Sequence, residues 1–126
     1  ITQHFIECGA NVAVHYFSSE TVANQLVKDA NNKGQKAIAI AGDLTKEVDA
    51  NALVEKTVEA LGGLDILINN TGSLVARKLL NEMETDFWHK VMDVNLTSML
   101  FVTRAASQHL GVQHILNLTS TIALCR

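Results

Sequence analysis

The sequence has 126 residues, 48% hydrophobic and 18% charged, which is typical of a single globular domain with one core. Its formal net charge of −3 argues against nucleic acid or an anionic membrane as a partner, and no apolar run reaches transmembrane length. Neither the two cysteines, Cys8 and Cys125, nor the five histidines have the spacing of metal ligands. We therefore expect no metal site, idle thiols in a reducing environment and a cytoplasmic location.

In the first half of the chain, helical segments alternate with short apolar runs. Gly9, Gly34 and Gly62 are each predicted to end a helix, because glycine readily takes the left-handed conformation that follows a helix. Ser19 and Thr45 are predicted N-caps, each with an acidic residue close behind. The predicted elements are a helix end at residues 1–9, strands at 11–16 and 36–41, and helices at 19–33 and 45–61.

The second half contains the longest helix and the central strand. An apolar run at residues 64–69 predicts a strand buried on both faces, and a connection with one short helical turn follows it. Thr85 is predicted to cap a helix that runs to about Leu110, and residues 91–102 in its middle are apolar almost all round. Such a helix is buried on more than one side, either against a second subunit or inside a larger domain.

The order of these elements, which closes with a strand at residues 114–118, defines the fold class. Strands that alternate with helices form right-handed crossovers and parallel sheets. We predict an α/β fold, a Rossmann-like doubly wound parallel sheet with helices on both faces. Residues 1–126 are assigned to one partial domain of this kind, because no linker, repeat or low-complexity tract divides them.

The central strand ends in a polar tetrapeptide, Asn-Asn-Thr-Gly at residues 69–72. In open α/β sheets, ligands bind in the crevice beyond the carboxyl ends of the strands. Amides at this position offer hydrogen-bond donors and acceptors, and Gly72 allows a ligand to approach the backbone. The tetrapeptide is therefore either part of a ligand site or the capped end of a strand that binds nothing.

Five short motifs occur in a fixed order along the chain. They are Gly9-Ala10-Asn11-Val12, Gly42-Asp43-Leu44, Asn69-Asn70-Thr71-Gly72, Asp93-Val94-Asn95-Leu96 and Asn117-Leu118-Thr119-Ser120. Together they resemble the motifs of the short-chain dehydrogenase/reductase family, and most closely those of its 3-oxoacyl-[acyl-carrier-protein] reductase type. The resemblance covers essentially the whole chain, with Thr71 standing where the family has alanine.

The resemblance implies that several of these residues bind a dinucleotide. The Asp43 carboxylate would accept from the adenine amino group, with Leu44 beside it. Asn70, Thr71 and Gly72 would line the ribose and the nicotinamide. From the residues alone, Asp43 is also suited to a local Asx-type cap for the next helix.

The resemblance also implies two catalytic residues. Asn95 would hold a water molecule in a proton relay. From the residues alone, it is equally consistent with a polar residue that is tolerated on a helix face. Ser120 would hydrogen-bond the substrate carbonyl and stabilise the developing alkoxide, or it is an ordinary hydroxyl at a strand end. The surroundings of Ser120 lack a Gly-x-Ser-x-Gly elbow, which argues against a serine nucleophile.

The end of the second strand of the family's fold, here residues 15–19, decides which cofactor is favoured. An acidic residue there would bind the 2′-hydroxyl of NAD, but the sequence reads His-Tyr-Phe-Ser-Ser. NADP is therefore the favoured cofactor, with NAD as the alternative, and Glu20 counts against a 2′-phosphate. The residues expected to line this part of the cofactor are Tyr16, Ser18 and Ser19.

Two segments that the family requires are not in the sequence. The glycine-rich loop that holds the pyrophosphate would precede residue 1, and the Tyr-x-x-x-Lys pair, whose tyrosine is the general acid, would follow Ser120. In this fold the first strand is central, so its loss would expose two unpaired strand edges. We expect the chain to be part of a longer reductase.

Three functions are consistent with these observations. The first is an NADP-dependent oxidoreductase that acts on a carbonyl or alcohol, similar to a 3-oxoacyl-thioester reductase. The second is a non-catalytic dinucleotide-binding or scaffold protein, and the third is an interaction protein that uses the long helix. The expected partners are a small-molecule substrate and a second copy of the chain, in a homodimer or homotetramer built on residues 85–110 with Met99 or Val102 near the two-fold contact.

Overall fold

A computed structural model describes residues 1–109, 111 and 114–118. Strands and helices alternate through these residues, as the sequence predicts. The elements are α1 (Thr2–Glu7), β1 (Val12–Tyr16), α2 (Glu20–Asn32), β2 (Ala37–Ala41), α3 (Glu47–Leu61), β3 (Ile66–Asn69), a 3₁₀ turn (Leu80–Glu82), α4 (Thr85–Met92), a π-helical turn (Asp93–Thr97), α5 (Ser98–Ser107) and β4 (His114–Asn117).

The strands of the described residues form two separate parallel pairs. Strand β1 pairs with β2, with Val12 opposite Ala37, and β3 pairs with β4, with Ile66 opposite His114. One edge of β1 and one edge of β3 therefore lack a partner strand among the described residues. The predicted α/β fold with a parallel sheet is confirmed, and its sheet consists here of two halves.

Helices cover both faces of the first strand pair, because its side chains alternate between two apolar surfaces. On one face Val12 and Ala37 pack with Ile6 of α1 and Ala30 of α2. On the other face Ile40 packs in the larger core with side chains of α3 and α5. The larger core consists of Ile40, Leu44, Ala50, Leu53, Val54, Val102, Ala105 and Ala106.

Several predictions about helix ends and surfaces are wrong in detail. The N-cap of α3 is Lys46 rather than Thr45, and that of α4 is Glu84 rather than Thr85. The long helix ends at Ser107, before the predicted end near residue 110.

The prediction that Val102 lies at a subunit contact is also wrong. Val102 is buried in the core of its own chain, where it packs with residues of α3. The apolar side chains on the outer surface of this helix are instead Trp88, Leu96 and Leu100. These three large side chains are each about half exposed in the described chain, and burial against a second subunit and burial inside a larger domain both remain predictions.

Two further observations concern the cysteines and the helices of the described residues. Cys8 is an exposed free thiol, and Cys125 lies outside the described residues. Among the described helices, none combines the length and hydropathy that a membrane span requires.

Candidate cofactor and active site

The side chain of Asn95 holds the backbone that follows β3. Its Nδ2 donates to the Ser73 carbonyl at 2.9 Å, and its Oδ1 accepts from the Ser73 amide at 3.0 Å. The two bonds resemble one rung of a β ladder, with an asparagine side chain in place of a second strand. They tie the helix to a loop residue 22 positions earlier, which fixes the end of the 69–72 tetrapeptide.

Asn95 occupies a π-helical turn between α4 and α5. In such a turn the backbone hydrogen bonds run from i to i+5 instead of i to i+4, and single π turns often occur at functional sites. The second Nδ2 hydrogen of Asn95 donates to the Val91 carbonyl at 2.8 Å. Both amide hydrogens of Asn95 are thus used in holding backbone carbonyls, so the side chain acts as a fixed support for the loop.

Gly72 packs against this support at a distance that no side chain could tolerate. A Cβ built on Gly72 would lie 2.9 Å from Oδ1 of Asn95, and real Cβ atoms do not approach other atoms within 3.0 Å. Because Oδ1 is pinned by the Ser73 amide, it cannot yield without losing that bond. The tetrapeptide therefore requires a glycine at position 72, because Oδ1 of Asn95 lies too close for a Cβ atom.

The first asparagine of the tetrapeptide supports the site from inside. Nδ2 of Asn69 donates to Oδ1 of Asn117 at 2.8 Å and to the hydroxyl of Thr103 at 3.0 Å. These bonds join the carboxyl ends of β3 and β4 to α5. Asn70 and Thr71 then follow as exposed residues, with the side chains of Asn69 and Asn95 fixing the backbone on either side of them.

The loop beyond Gly72 contains a strained residue that no sequence pattern predicts. Val75 has a φ of +61°, which is costly for a β-branched residue. The Ser73 hydroxyl accepts from its amide at 3.0 Å, and the Ala76 amide donates to the Leu74 carbonyl at 2.7 Å. Ser73 thus serves the site through its backbone and its side chain, and neither role leaves a motif in the sequence.

Asp43 lies at the carboxyl end of β2, where its carboxylate is held by its own turn. Its Oδ1 accepts from the Thr45 hydroxyl at 2.6 Å and from the Thr45 amide at 3.2 Å, and its Oδ2 is 3.5 Å from Nζ of Lys46. The Thr45 hydroxyl bond is the main reason that the pKa of Asp43 is lowered, and partial burial opposes it. The Asx-type arrangement is therefore present, and Oδ2 keeps lone pairs for a ligand.

The remaining predicted cofactor residues lie around the ends of β1 and β2. Tyr16 ends β1 and its carbonyl accepts from the Gly42 amide at 3.2 Å, while Ser18 and Ser19 are exposed. Leu44 is 7% exposed and belongs to the core, so only its backbone is available to a ligand. His15, which the sequence did not single out, hydrogen-bonds the Gly42 carbonyl through Nε2 at 2.9 Å and braces the turn that holds Asp43.

The structure brings two groups of predicted residues together. One unit lies at the end of β3 and consists of Asn95, Gly72 and the exposed residues Asn70 and Thr71. The second unit lies at the ends of β1 and β2 and consists of the remaining predicted cofactor residues. Ser120 lies outside the described residues. In the described part of the chain, no group of three or more histidine, cysteine or acidic side chains could hold a metal ion.

Comparisons with known proteins agree with this geometry. A family model described as short chain dehydrogenase matches residues 1–125. An uncharacterised oxidoreductase of Methylorubrum extorquens is 37% identical over 115 residues, which are 90% of this chain and 46% of that protein. The chain therefore spans about half the length of this curated relative.

Solved structures show the same fold and two different cofactors. A short chain dehydrogenase from Burkholderia cenocepacia in complex with NADP superposes with a TM-score of 0.89 and 32% identity, covering 97% of this chain and 50% of that one. An NADH-dependent reductase responsible for alginate metabolism, complexed with NAD, gives a TM-score of 0.87 and 27% identity, covering 98% and 54%.

The contact between Gly72 and Asn95 can be tested with a double-mutant cycle. Gly72→Ala should destabilise the chain because its Cβ displaces Oδ1 of Asn95. In an Asn95→Ala background the same change should cost less, with a coupling free energy of about 1 kcal/mol or more from urea unfolding. Gly63→Ala is the control, since no atom lies near its built Cβ and it should be additive with Asn95→Ala. Additivity of Gly72→Ala and Asn95→Ala would contradict the contact.

The lowered pKa of Asp43 predicts a pH dependence with a defined sign. A carboxylate whose folded pKa lies below its unfolded value adds stability above the unfolded pKa and loses it as the pH falls through the folded pKa. Thr45→Val should raise the Asp43 pKa toward its ordinary value of 3.8, as followed by NMR titration of the carboxyl carbon. The stability advantage of the wild type over Thr45→Val should be full near neutral pH and shrink in acid.

Lys46→Gln serves as the comparison for this titration. It removes a cation whose influence on Asp43 ranks below that of the Thr45 hydroxyl, so it should move the pKa less. A larger shift for Lys46→Gln than for Thr45→Val would contradict the assignment of the main cause.

Proposed function

The chain belongs to the short-chain dehydrogenase family, and we propose that its activity is hydride transfer between NADP(H) and a carbonyl or alcohol substrate. The observation that carries this proposal is the support of the 69–72 tetrapeptide by Asn95. It fixes an exposed amide and hydroxyl at the carboxyl end of a strand, which is where open α/β sheets bind ligands.

The donor set of the described residues fits a dinucleotide. Asn70 and Thr71 are exposed at the end of β3, where they would contact the ribose and nicotinamide, and Oδ2 of Asp43 would accept from the adenine amino group. A bound nicotinamide dinucleotide would supply the carbon that gives or takes the hydride. Thr71, in place of the family's alanine, adds a hydroxyl to this contact.

The end of β1 favours NADP over NAD. No carboxylate ends the strand, and the Ser19 side chain makes no capping hydrogen bond to helix α2. The exposed hydroxyls of Ser18 and Ser19 would therefore be available to donate to a 2′-phosphate. Glu20 follows directly, and its negative charge would repel a 2′-phosphate. NAD therefore remains the alternative cofactor.

The catalytic roles follow from the family resemblance. Ser120 would donate to the substrate oxygen and stabilise its developing negative charge. The Asn95 side chain is already bonded to Ser73 and Val91, so its contribution is to hold the loop and the π turn in place. In the proton relay that the resemblance implies, the water would therefore be held by the backbone of the π turn and not by the side-chain amide of Asn95.

The substrate class proposed from the motifs is a 3-oxoacyl thioester or a related carbonyl compound. None of the described residues selects among such substrates, so this part rests on the motif resemblance alone. A cytoplasmic location is likewise proposed from the motif resemblance. The free thiol of Cys8 is compatible with a reducing compartment.

We propose that the chain forms homodimers or homotetramers through the α4–α5 helix. Trp88, Leu96 and Leu100 are each about half exposed, and their spacing in multiples of four places them along one side of the helix. A stripe of large apolar side chains of this kind marks an interaction surface. Pairing with the same stripe of a second copy would cover it by an isologous contact.

Cofactor preference can be reversed at the end of β1. Ser18→Asp should weaken NADPH binding relative to NADH, because a carboxylate repels the 2′-phosphate and can accept from a 2′-hydroxyl. The ratio of the two dissociation constants should change by about tenfold or more. Asn51→Asp, an equal charge change at an exposed position of α3, should leave the ratio unchanged. A wild-type preference for NADH would contradict the NADP assignment.

Assembly through the apolar stripe can be tested by light scattering. Leu100→Lys should reduce the molar mass to that of a monomer at micromolar concentration, because it would bury an unpaired charge between subunits. Val48→Lys changes another apolar side chain that is 69% exposed and should not alter the mass. A monomeric wild type, or equal behaviour of the two variants, would contradict this interface.

A further inference from the structure

The peptide group between Gly42 and Asp43 is held by a side chain at each of its two polar atoms. Nε2 of His15 donates to its carbonyl at 2.9 Å, and its amide donates to Oδ2 of Asp49 at 2.8 Å. The carbonyl and the amide of a trans peptide group point in opposite directions, so the two side chains hold it from opposite sides. The peptide group therefore cannot rotate without breaking one or both of these bonds.

These bonds restrain the point at which the turn after β2 would otherwise be most free. Glycine allows a wider range of backbone angles than any other residue, so Gly42 on its own would let the following residue change direction. Its amide donates to the Tyr16 carbonyl at 3.2 Å, which extends the pairing of β1 and β2 by one bond. The direction in which the Asp43 side chain leaves the backbone is therefore fixed relative to the sheet.

The bonds made by His15 and Asp49 differ in kind from those that Thr45 makes. Thr45 lies in the same turn as Asp43, so its bonds to Oδ1 orient the carboxylate only relative to that turn. His15 belongs to β1 and Asp49 to α3, and both are half-buried. Their bonds orient the turn relative to the strand that leads to Ser18, and thus relative to the rest of the second unit of the site.

The position of Asp49 in α3 would also suit an ordinary helix cap, but the observed bonds differ from those of a cap. An acidic residue in the first turn of a helix can accept from the amide of the N-cap residue. Here the amide of the N-cap residue Lys46 donates to the Asp43 carbonyl at 2.8 Å. Asp49 accepts instead from an amide six positions earlier, outside the helix. Its bond therefore supports the turn that carries Asp43.

We propose that His15 and Asp49 are positioning residues that make the site selective for adenine over a purine with an oxygen in place of the amino group. They hold the Asp43 carboxylate where Oδ2 accepts from the adenine amino group, and the same oxygen would repel a carbonyl oxygen at that position. Neither side chain needs to touch the cofactor, because both act through the peptide group between Gly42 and Asp43. This inference rests on the dinucleotide function proposed above and adds the two residues that set the base preference.

The test compares NADPH with its deamino analogue, in which an oxygen replaces the adenine amino group while the phosphates and the nicotinamide are unchanged. The dissociation constants of both compounds are measured by calorimetry on the intact protein. The wild type should bind NADPH more tightly by about tenfold or more, because the analogue loses the bond to Asp43 and places two oxygen atoms opposite each other. Asp43→Ala should lower this ratio and gives its value without the carboxylate.

Variants of the two positioning residues should lower the ratio without removing the carboxylate. His15→Leu and Asp49→Leu should each move it toward the Asp43→Ala value and leave the affinity for the deamino analogue close to that of the wild type. His15→Gln keeps an amide donor and Asp49→Asn keeps an oxygen acceptor, so both should restore much of the wild-type ratio. In an Asp43→Ala background, Asp49→Leu should change the ratio no further.

Glu47→Leu is the matched control for Asp49→Leu. Glu47 is the other acidic residue in the first turn of α3, and its carboxylate pairs with Arg104. Its replacement should leave the ratio of the two dissociation constants unchanged.

The restraint on the peptide group can also be measured without a ligand. The Asp43 amide should exchange with solvent faster by about tenfold or more in Asp49→Leu than in the wild type, and Asp49→Asn should exchange more slowly than Asp49→Leu. A wild-type ratio in both leucine variants, or an equal loss of affinity for both compounds, would overturn the positioning role. A wild type that binds both compounds equally would overturn this inference alone, whereas one that binds neither would overturn the dinucleotide function together with it.

Discussion

The candidate site depends on a pair of hydrogen bonds between the Asn95 side chain and the Ser73 backbone. These bonds make a helix residue act as a partner strand for the loop that follows β3. Without them, Asn70, Thr71 and Gly72 would be tied to the helix only from the other side, through the bond between Asn69 and Thr103. The π turn contains Asn95, whose side chain reaches both the Val91 carbonyl and the Ser73 carbonyl.

A second constraint concerns the sheet that carries the site. The two units of the candidate site lie at the ends of different strand pairs, and the groove between β1 and β3 separates these pairs. Among the described residues, helices α3 and α5 connect the two halves through a shared core.

The sequence predicted the strands and most helix ends because those signals are local. Apolar runs located every strand to within about two residues, and Gly62 ends α3 in the left-handed conformation, with a φ of +84°. Val102 was wrongly predicted near a subunit contact, because residues 91–102 are apolar almost all round and composition alone does not separate the side that faces the core from the outer side. The clamp on Ser73 and the strain at Val75 depend on contacts made in three dimensions, so no local pattern reveals them.

Hydrogen–deuterium exchange with and without NADPH tests the central claim most directly, namely that Asn95 fixes a nucleotide-binding loop. We expect NADPH to slow exchange in residues 69–73 of the wild type. In Asn95→Ala the same residues should exchange faster in the free protein and gain less protection from NADPH. A wild type whose loop is unaffected by NADPH, or an Asn95→Ala variant whose loop is protected equally well, would contradict this role.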